Sequence, residues 1–195
     1  MRAEQGRATR AELVNAATRL FAEQGYDATS METVQRATGL SRGALYHHFP
    51  SKGALFEAVY VAAQGRVARE VVAEAMGGAT PRDKLRRGAR AWLERVRDPV
   101  VRQITLIDAP GVLGWEKWRA IDQGHFLGSL SRVVEQAVGD DTPPERVDMI
   151  SHMLLAALGE AAMVMARGDY SSESIASHAA TIDEFVARLL GPEVE

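Results

Sequence analysis

The chain has 195 residues, enough for one full-sized domain and a small one. Hydrophobic residues make up 46% and charged residues 25%, an ordinary globular composition. Cysteine is absent, which removes disulfides and thiolate metal sites and fits a reducing, cytoplasmic setting. The net charge of −3 argues against a nucleic-acid coat protein, but the charge is uneven. Residues 1–66 hold eight Lys/Arg against six Asp/Glu, and residues 67–195 hold fifteen against twenty. A DNA-facing head on an acidic body has that polarity. The first residues lack the apolar core of a secretory signal, and no uninterrupted apolar run approaches the ~18 residues of a membrane span. No membrane partner is expected.

In chain order the sequence reads as helix after helix. Leu13, Ala16, Ala17, Leu20 and Phe21 form one apolar stripe, which predicts a helix from about Thr9 to Gln24 with Gly25 as its stop. Thr29 and Glu32 fit a capping box opening a short helix that buries Met31, Val34 and Ala37 and ends at Gly39. Ser41 caps the next helix, about Arg42 to His48, with Leu45 and Phe49 inward. Pro50 ends it, and Ser51 opens a long helix carrying Leu55, Val59, Ala62 and Ala63.

The same punctuation recurs downstream. Gly77-Gly78 breaks the chain, and Thr80-Pro81-Arg82-Asp83 pairs an N-cap with proline at the first helical position. Asp108-Ala109-Pro110-Gly111 predicts a further break, Thr142-Pro143-Pro144-Glu145 repeats the capping device, and Ser171-Ser172 caps the last helix. Gly168 and Gly191-Pro192 sit where helices should stop. The fold class is all-α: a small three-helix head, residues 7–66, with a helix-turn-helix at about 30–49, and a larger helical body, residues 67–195, with about nine helices in total.

Two short helices joined by a glycine turn suit the major groove, where the second helix meets base edges with its N-terminal residues. With Leu45 and Phe49 inward, Arg42, Gly43, Tyr46 and His47 point outward. Arg42 can bond a guanine edge or a phosphate, and Gly43 permits a close approach. Ser30, Thr33 and Ser41 lie near helix N-termini, where free amides favour phosphate. Lys52 lies in a first helical turn against the dipole, so an anionic partner such as phosphate is expected. Each of these residues is also an ordinary surface residue when taken alone. His47 and His48 are adjacent and face different ways, a poor metal pair.

Taken together, Phe21, Gly25-Tyr26, Thr29-Ser30, Gly39-Leu40-Ser41-Arg42-Gly43, Ala44-Leu45-Tyr46-His47-His48-Phe49, Ser51-Lys52 and Leu55-Phe56 resemble the head of the TetR family of transcriptional regulators. The resemblance covers the first third of the chain. Gln35 and Thr38 stand where many members have alanine. It implies a recognition helix at 42–48 and DNA contacts from Thr29, Ser30, Ser41, Arg42, Gly43, Ala44, Tyr46, His47, His48 and Lys52. It further implies a homodimer joined by the last two helices, reading a near-palindromic double-stranded operator, and a ligand-responsive regulator, most often a repressor released by a small molecule. Tilting of the helix at 51–76 would change the spacing of the two recognition helices.

The body's own pattern allows both pairing and sensing. Leu154, Leu158, Ala161 and Met165 on one helix and Ile182, Phe185 and Leu189 on the last form apolar stripes that need a partner, in the same chain or in a second copy. Trp92, Leu106, Trp115, Trp118, Phe126, Met149, Met153 and Met163 offer aromatic and adaptable apolar surface, and Asp108, His125 and His152 are polar groups a pocket can use for orientation. Aromatic residues and methionines at helical spacing also serve as plain core. A partly apolar effector is expected, with no cofactor and no metal.

An enzyme is the rival reading. A di-iron bundle needs paired Glu-x-x-His motifs, and the nearest match, Asp122-x-x-His125, is single and has an aspartate. Nucleophile-elbow, dinucleotide and phosphate-loop glycine motifs are absent from the sequence. No catalytic residue is assigned. A DNA-binding dimer without a small-molecule ligand remains the closer alternative.

Overall fold

The computed structural model describes residues 2–168 and 170–191; Pro192, named above as a helix stop, lies outside them. Among the described residues there are nine α-helices and no strand. The helices are α1 (Arg2–Ala28), α2 (Met31–Thr38), α3 (Arg42–His48), α4 (Lys52–Met76), α5 (Pro81–Glu94), α6 (Ala109–Leu113), α7 (Trp115–Val138), α8 (Pro144–Arg167) and α9 (Ser172–Leu190). A 3-10 turn, Arg95–Arg97, and a π-helical segment, Val100–Asp108, lie between α5 and α6.

The helices fall into two compact units: residues 1–63 with 99–118, and residues 64–98 with 119–195. The expected boundary at 66/67 therefore misses a feature. Residues 99–118 pack with the head, the π-helical segment lying against α1.

Within the first unit, Leu13, Ala17, Phe21, Leu45, Leu55, Phe56, Val59 and Tyr60 are fully buried. Phe21, Tyr26 and Phe56 form an aromatic cluster with ring centroids 5.0–5.8 Å apart. Gly25 interrupts α1 with φ 79 and ψ 170, a conformation essentially restricted to glycine. α1 also begins earlier than the apolar stripe implies, at Arg2.

Several caps fall as expected. Ser41 accepts from the Ala44 amide at 3.2 Å, Ser51 from Ala54 at 3.1 Å, Thr80 from Asp83 at 3.1 Å and Ser171 from Ser174 at 3.2 Å. Each such cap is worth about 1 kcal/mol. Others differ. The cap of α2 is Ser30, accepting from Thr33 at 3.1 Å, because the Thr29 hydroxyl is already donated to the Gly25 carbonyl at 2.8 Å. Ala37 is exposed. Thr142 donates to the Val138 carbonyl at 3.0 Å instead of capping α8, which starts without a side-chain cap. No break occurs at 108–111: the π-helical segment runs directly into α6, where Pro110 fits the first turn, and the stop is Gly114 at φ 77.

In the second unit α5 packs on α8 and α9, and α8 on α9. Gly78 lets the α4–α5 turn close: a Cβ there would stand 2.5 Å from the Lys84 amide nitrogen. Among the described residues α8 is long and apolar enough to cross a membrane by length and composition, although Asp148 and Glu160 interrupt it. One face of α8 lies in the chain's own core, with Ile150, Leu154, Leu155, Ala162 and Met165 buried. Its opposite face is exposed and still apolar, with Met149 59%, Met153 43% and Val164 53% exposed. Leu154, Met165 and Ile182 are inside the chain's own core, while Leu158, Ala161, Phe185 and Leu189 are half-buried.

Candidate functional site

The head's candidate site is the outer face of α2 and α3. Leu45 and Phe49 anchor α3 from beneath, and Arg10 lies over the Phe49 ring at 5.0 Å. That orientation exposes Ser41, Arg42, Gly43 and His47 and leaves Ala44, Tyr46 and His48 half-exposed. The Arg42 guanidinium sits 5.5 Å from the centre of the Tyr46 ring, so the two side chains form one patch. A Cβ on Gly43 would meet nothing within 4 Å, so no internal packing demands glycine there. On α2, Ser30 shares a hydrogen bond of 3.0 Å with Thr33, whose hydroxyl also accepts from Arg36 at 3.2 Å.

One expected DNA contact is buried, and a second is already engaged within the chain. Thr29 is fully buried, its hydroxyl turned to the Gly25 carbonyl and, at 3.3 Å, to that of Leu20. Lys52 does have an electronegative partner, but it is internal. Its ammonium donates to the Tyr26 carbonyl at 2.9 Å and stands 4.1 Å from the Tyr26 ring centre. The residues at the Gly25 turn provide acceptors that the sequence pattern did not reveal.

The same turn is held from the other side. The Tyr26 amide donates to Asp108 Oδ2 at 2.9 Å, and Gln103 donates to Asp108 Oδ1 at 3.0 Å. Burial pushes the Asp108 carboxyl above the usual range, and these two hydrogen bonds pull against that rise. Asp108 is therefore a structural acceptor rather than a pocket group.

The second unit contains a cavity of about 360 Å³. Its wall comes from α4 (Val71, Val72, Ala75, Met76), α5 (Lys84, Leu85, Gly88, Ala89, Trp92) and α7 (Asp122, Phe126, Ser129, Leu130, Arg132, Val133, Gln136). Leu154, Leu155, Leu158 and Gly159 of α8 and Val186 of α9 complete it. The lining is mainly apolar with a few polar groups, as small-molecule sites are. Trp92 is fixed in it by donating to the Leu158 carbonyl at 2.9 Å and by an edge contact with Phe126 at 5.6 Å. Asp122 is buried. Desolvation pushes its carboxyl up to about 6, against the opposing pull of Arg119 at 3.8 Å and of the Gln64 amide donating at 3.2 Å.

Of the pocket residues expected from sequence, Trp92 and Phe126 lie in this wall. The others do not. Leu106 and Trp118 are buried in the first unit, where Trp118 touches the exposed Trp115 ring at 5.1 Å. His125 packs against Gly65 of α4, whose Cβ would stand 3.5 Å from the ring. His152 lies 3.4 Å from Gln123 and 3.6 Å from Asp148, Met149 and Met153 face outward, and Met163 is half-buried on α8. Sequence reading missed the α4 wall, the α5 wall other than Trp92, and Asp122. The spacing of Leu85, Ala89 and Trp92 carried the signal, but large aromatics and methionines drew attention instead. Among the described residues no group of three His, Asp or Glu side chains is arranged to hold a metal.

Comparison with known proteins agrees with this geometry. Residues 13–59 match the family model described as bacterial regulatory proteins, tetR family, and residues 82–189 match the tetracyclin repressor-like C-terminal domain. The HTH-type transcriptional repressor Rv1474c of Mycobacterium tuberculosis is 46% identical over 52 residues, 27% of this chain and 28% of that protein. The HTH-type transcriptional repressor AcnR of Corynebacterium glutamicum is 44% identical over 66 residues, 34% of this chain and 35% of that protein. The matches thus span about a third of these curated relatives, within the head. A TetR-family transcriptional regulator from Pectobacterium atrosepticum has a solved structure that superposes with TM-score 0.82 at 29% identity, covering 100% of both chains. GusR of Salmonella enterica superposes with TM-score 0.68 at 28% identity, covering 94% of this chain and 95% of that one. The matched domains and relatives are those of regulators, not enzymes. The chain belongs to the TetR family of bacterial regulatory proteins.

Proposed function

We propose that the protein is a DNA-binding transcriptional repressor that acts as a homodimer and leaves its operator when a small, partly apolar effector enters the cavity. The observation that carries the reading is the α3 face. Arg42, Gly43, Tyr46 and His47 are presented outward on a helix whose inner side is fixed by Leu45 and Phe49. Arg42 is suited to a guanine edge or a phosphate, and the bare Gly43 position admits close approach of a duplex. Ser30, Ser41, Ala44 and His48 flank that contact.

Regulators of this family bind DNA operators as dimers, and some bind small ligands. The pairing surface here is the outer face of α8, through Met149, Met153, Ala156 and Val164, with Phe185 and Leu189 of α9 beside it. An exposed apolar stripe of this kind is a normal interface signature. A two-fold pairing places two α3 helices on two half-sites of a near-palindrome. Communication runs through α4. It is one continuous helix that begins in the first unit and ends as a wall of the cavity in the second. Linkage then requires that an effector preferring one arrangement of α4 alters DNA affinity.

The reading is tested by fluorescence anisotropy with a labelled duplex from upstream of the protein's own gene. Binding of two protomers per site is expected, with release by a cavity-binding compound. Binding no tighter than to an unrelated duplex contradicts it.

A further inference from the structure

We propose that the cavity selects a neutral molecule with a hydroxyl donor on a compact apolar body, the hydroxyl donating to the Asp122 carboxylate and the body lying against Phe126 and Trp92. The inference rests on reading the cavity as the effector site and adds the chemical class of the effector.

Asp122 marks the buried end of the cavity. It is 8% exposed and is bonded by Gln64. Lys84, another wall residue, stands by the turn after α4, where a Cβ on Gly78 would meet its backbone. Met76, the last residue of α4 and also in the wall, is 60% exposed. From Gln64 to Met76 α4 rises about 18 Å, so the buried and the open end are well separated. Phe126 follows Asp122 by four residues on α7, which puts both side chains on one face of the helix. The Trp92 ring stands edge-on to Phe126 at 5.6 Å. The carboxylate and the aromatic pair are therefore neighbours.

The Asp122 carboxylate is suited to a donor. A carboxylate offers about four acceptor sites. Gln64 donates to Oδ1 at 3.2 Å, and Arg119 stands 3.8 Å from Oδ2, farther than a hydrogen bond. A ligand hydroxyl can add to Oδ2 without displacing either group. The indole N–H of Trp92 does not compete for it, because it is donated to the Leu158 carbonyl at 2.9 Å.

Charge selects among donors. Arg119 already gives Asp122 a positive neighbour, and the wall holds two basic groups, Lys84 and Arg132, against that one acid. An ammonium at Asp122 would face Arg119 inside a wall of net positive charge. An anion would meet the Asp122 carboxylate itself. A neutral hydroxyl meets neither repulsion, and its bond to an ionised acceptor is of the stronger, charge-assisted kind.

Isothermal titration of the full chain without DNA, at about pH 8 where Asp122 is ionised, tests this with four probes of similar shape. They are 4-propylphenol, 4-propyltoluene, 4-propylbenzylammonium and 4-propylbenzoate. The phenol is expected to bind about tenfold more tightly than the toluene, and both ions more weakly than the phenol. In Asp122→Leu the phenol should lose its advantage over the toluene, whereas Asp122→Asn, which keeps a carbonyl acceptor, should retain part of it. Circular dichroism of both variants should match the parent. Toluene binding as tightly as the phenol to the parent overturns the assignment. So does an undiminished phenol preference in Asp122→Leu, or tighter binding of either ion; each of these leaves the effector-site reading standing. Asp122-dependent phenol binding that fails to release the operator duplex supports the assignment and overturns the effector-site reading. Binding of none of the four overturns both.

Discussion

The Tyr26 amide and the Asp108 carboxylate are 82 positions apart in sequence and joined by a 2.9 Å hydrogen bond. Together with Lys52 on the Tyr26 carbonyl, it secures both polar groups of one peptide-bonded residue at the end of α1. The turn that positions α2 and α3 is therefore held by α4 on one side and by the end of the π-helical segment on the other.

Removing that acceptor should cost stability before it costs anything else. Asp108→Ala leaves a part-buried amide without its partner and is expected to lower unfolding free energy by about 2 kcal/mol. Gly25→Ala should cost about 1–3 kcal/mol, because alanine is strained at φ 79 and its Cβ would press on Gln103 at 3.4 Å. Urea denaturation checks both; variants as stable as the parent would show that the turn is held by other contacts.

Lys52 and Arg42 should separate cleanly. Lys52→Met is expected to reduce stability while leaving the salt dependence of DNA binding unchanged, since its ammonium already serves the Tyr26 carbonyl. Arg42→Ala should leave the melting temperature alone and weaken operator binding about tenfold or more. Parallel melting and anisotropy measurements distinguish the two roles.

The buried Asp122 gives a pH signature. Its carboxyl titrates at about 6 in the fold, above the usual 3.8. Between these values the native state holds the extra proton, so this group's contribution makes the fold less stable as pH rises through the window. Above about pH 6 the full penalty is present; below about pH 4 it is gone. Asp122→Asn keeps an acceptor for Gln64 and should stabilise the protein by about 2 kcal/mol at pH 7.5, with no gain at pH 3.5. Thermal melts at the two pH values give the comparison, and an equal effect at both would contradict it.

Most of the helical frame was legible in the sequence because its signals are local. Ser41, Ser51, Thr80 and Ser171 cap helices using amides three residues away. Failures occurred where another group in the fold competed. Thr29 looked like a cap but is drawn back to Gly25, and Lys52, whose place suggests a phosphate partner, donates to the Tyr26 carbonyl. Leu154 and Met165 share a stripe with other apolar residues, yet α8 is apolar on two faces, so periodicity alone did not say which one faces inward. The cavity was hardest to read. Its wall depends on which residues of five helices converge, and of the expected aromatics only Trp92 and Phe126 do so.

The outward face of α8 gives a separate test of pairing. Met149→Glu with Met153→Glu changes exposed positions and should leave each chain folded but shift sedimentation from dimer to monomer at micromolar concentration. The same exchange at Leu154, which is 1% exposed, should unfold the chain instead. A double variant that still sediments as a dimer would move the interface elsewhere.

The most direct test of the central claim is anisotropy on the upstream duplex with the wild type and the Arg42→Ala, Tyr46→Ala variant, at two salt concentrations. Tight wild-type binding that weakens steeply with salt, and a variant reduced to the affinity seen on unrelated DNA, is the predicted result. A variant that binds the upstream duplex as tightly as the wild type would contradict the assignment of α3 as the helix that reads DNA.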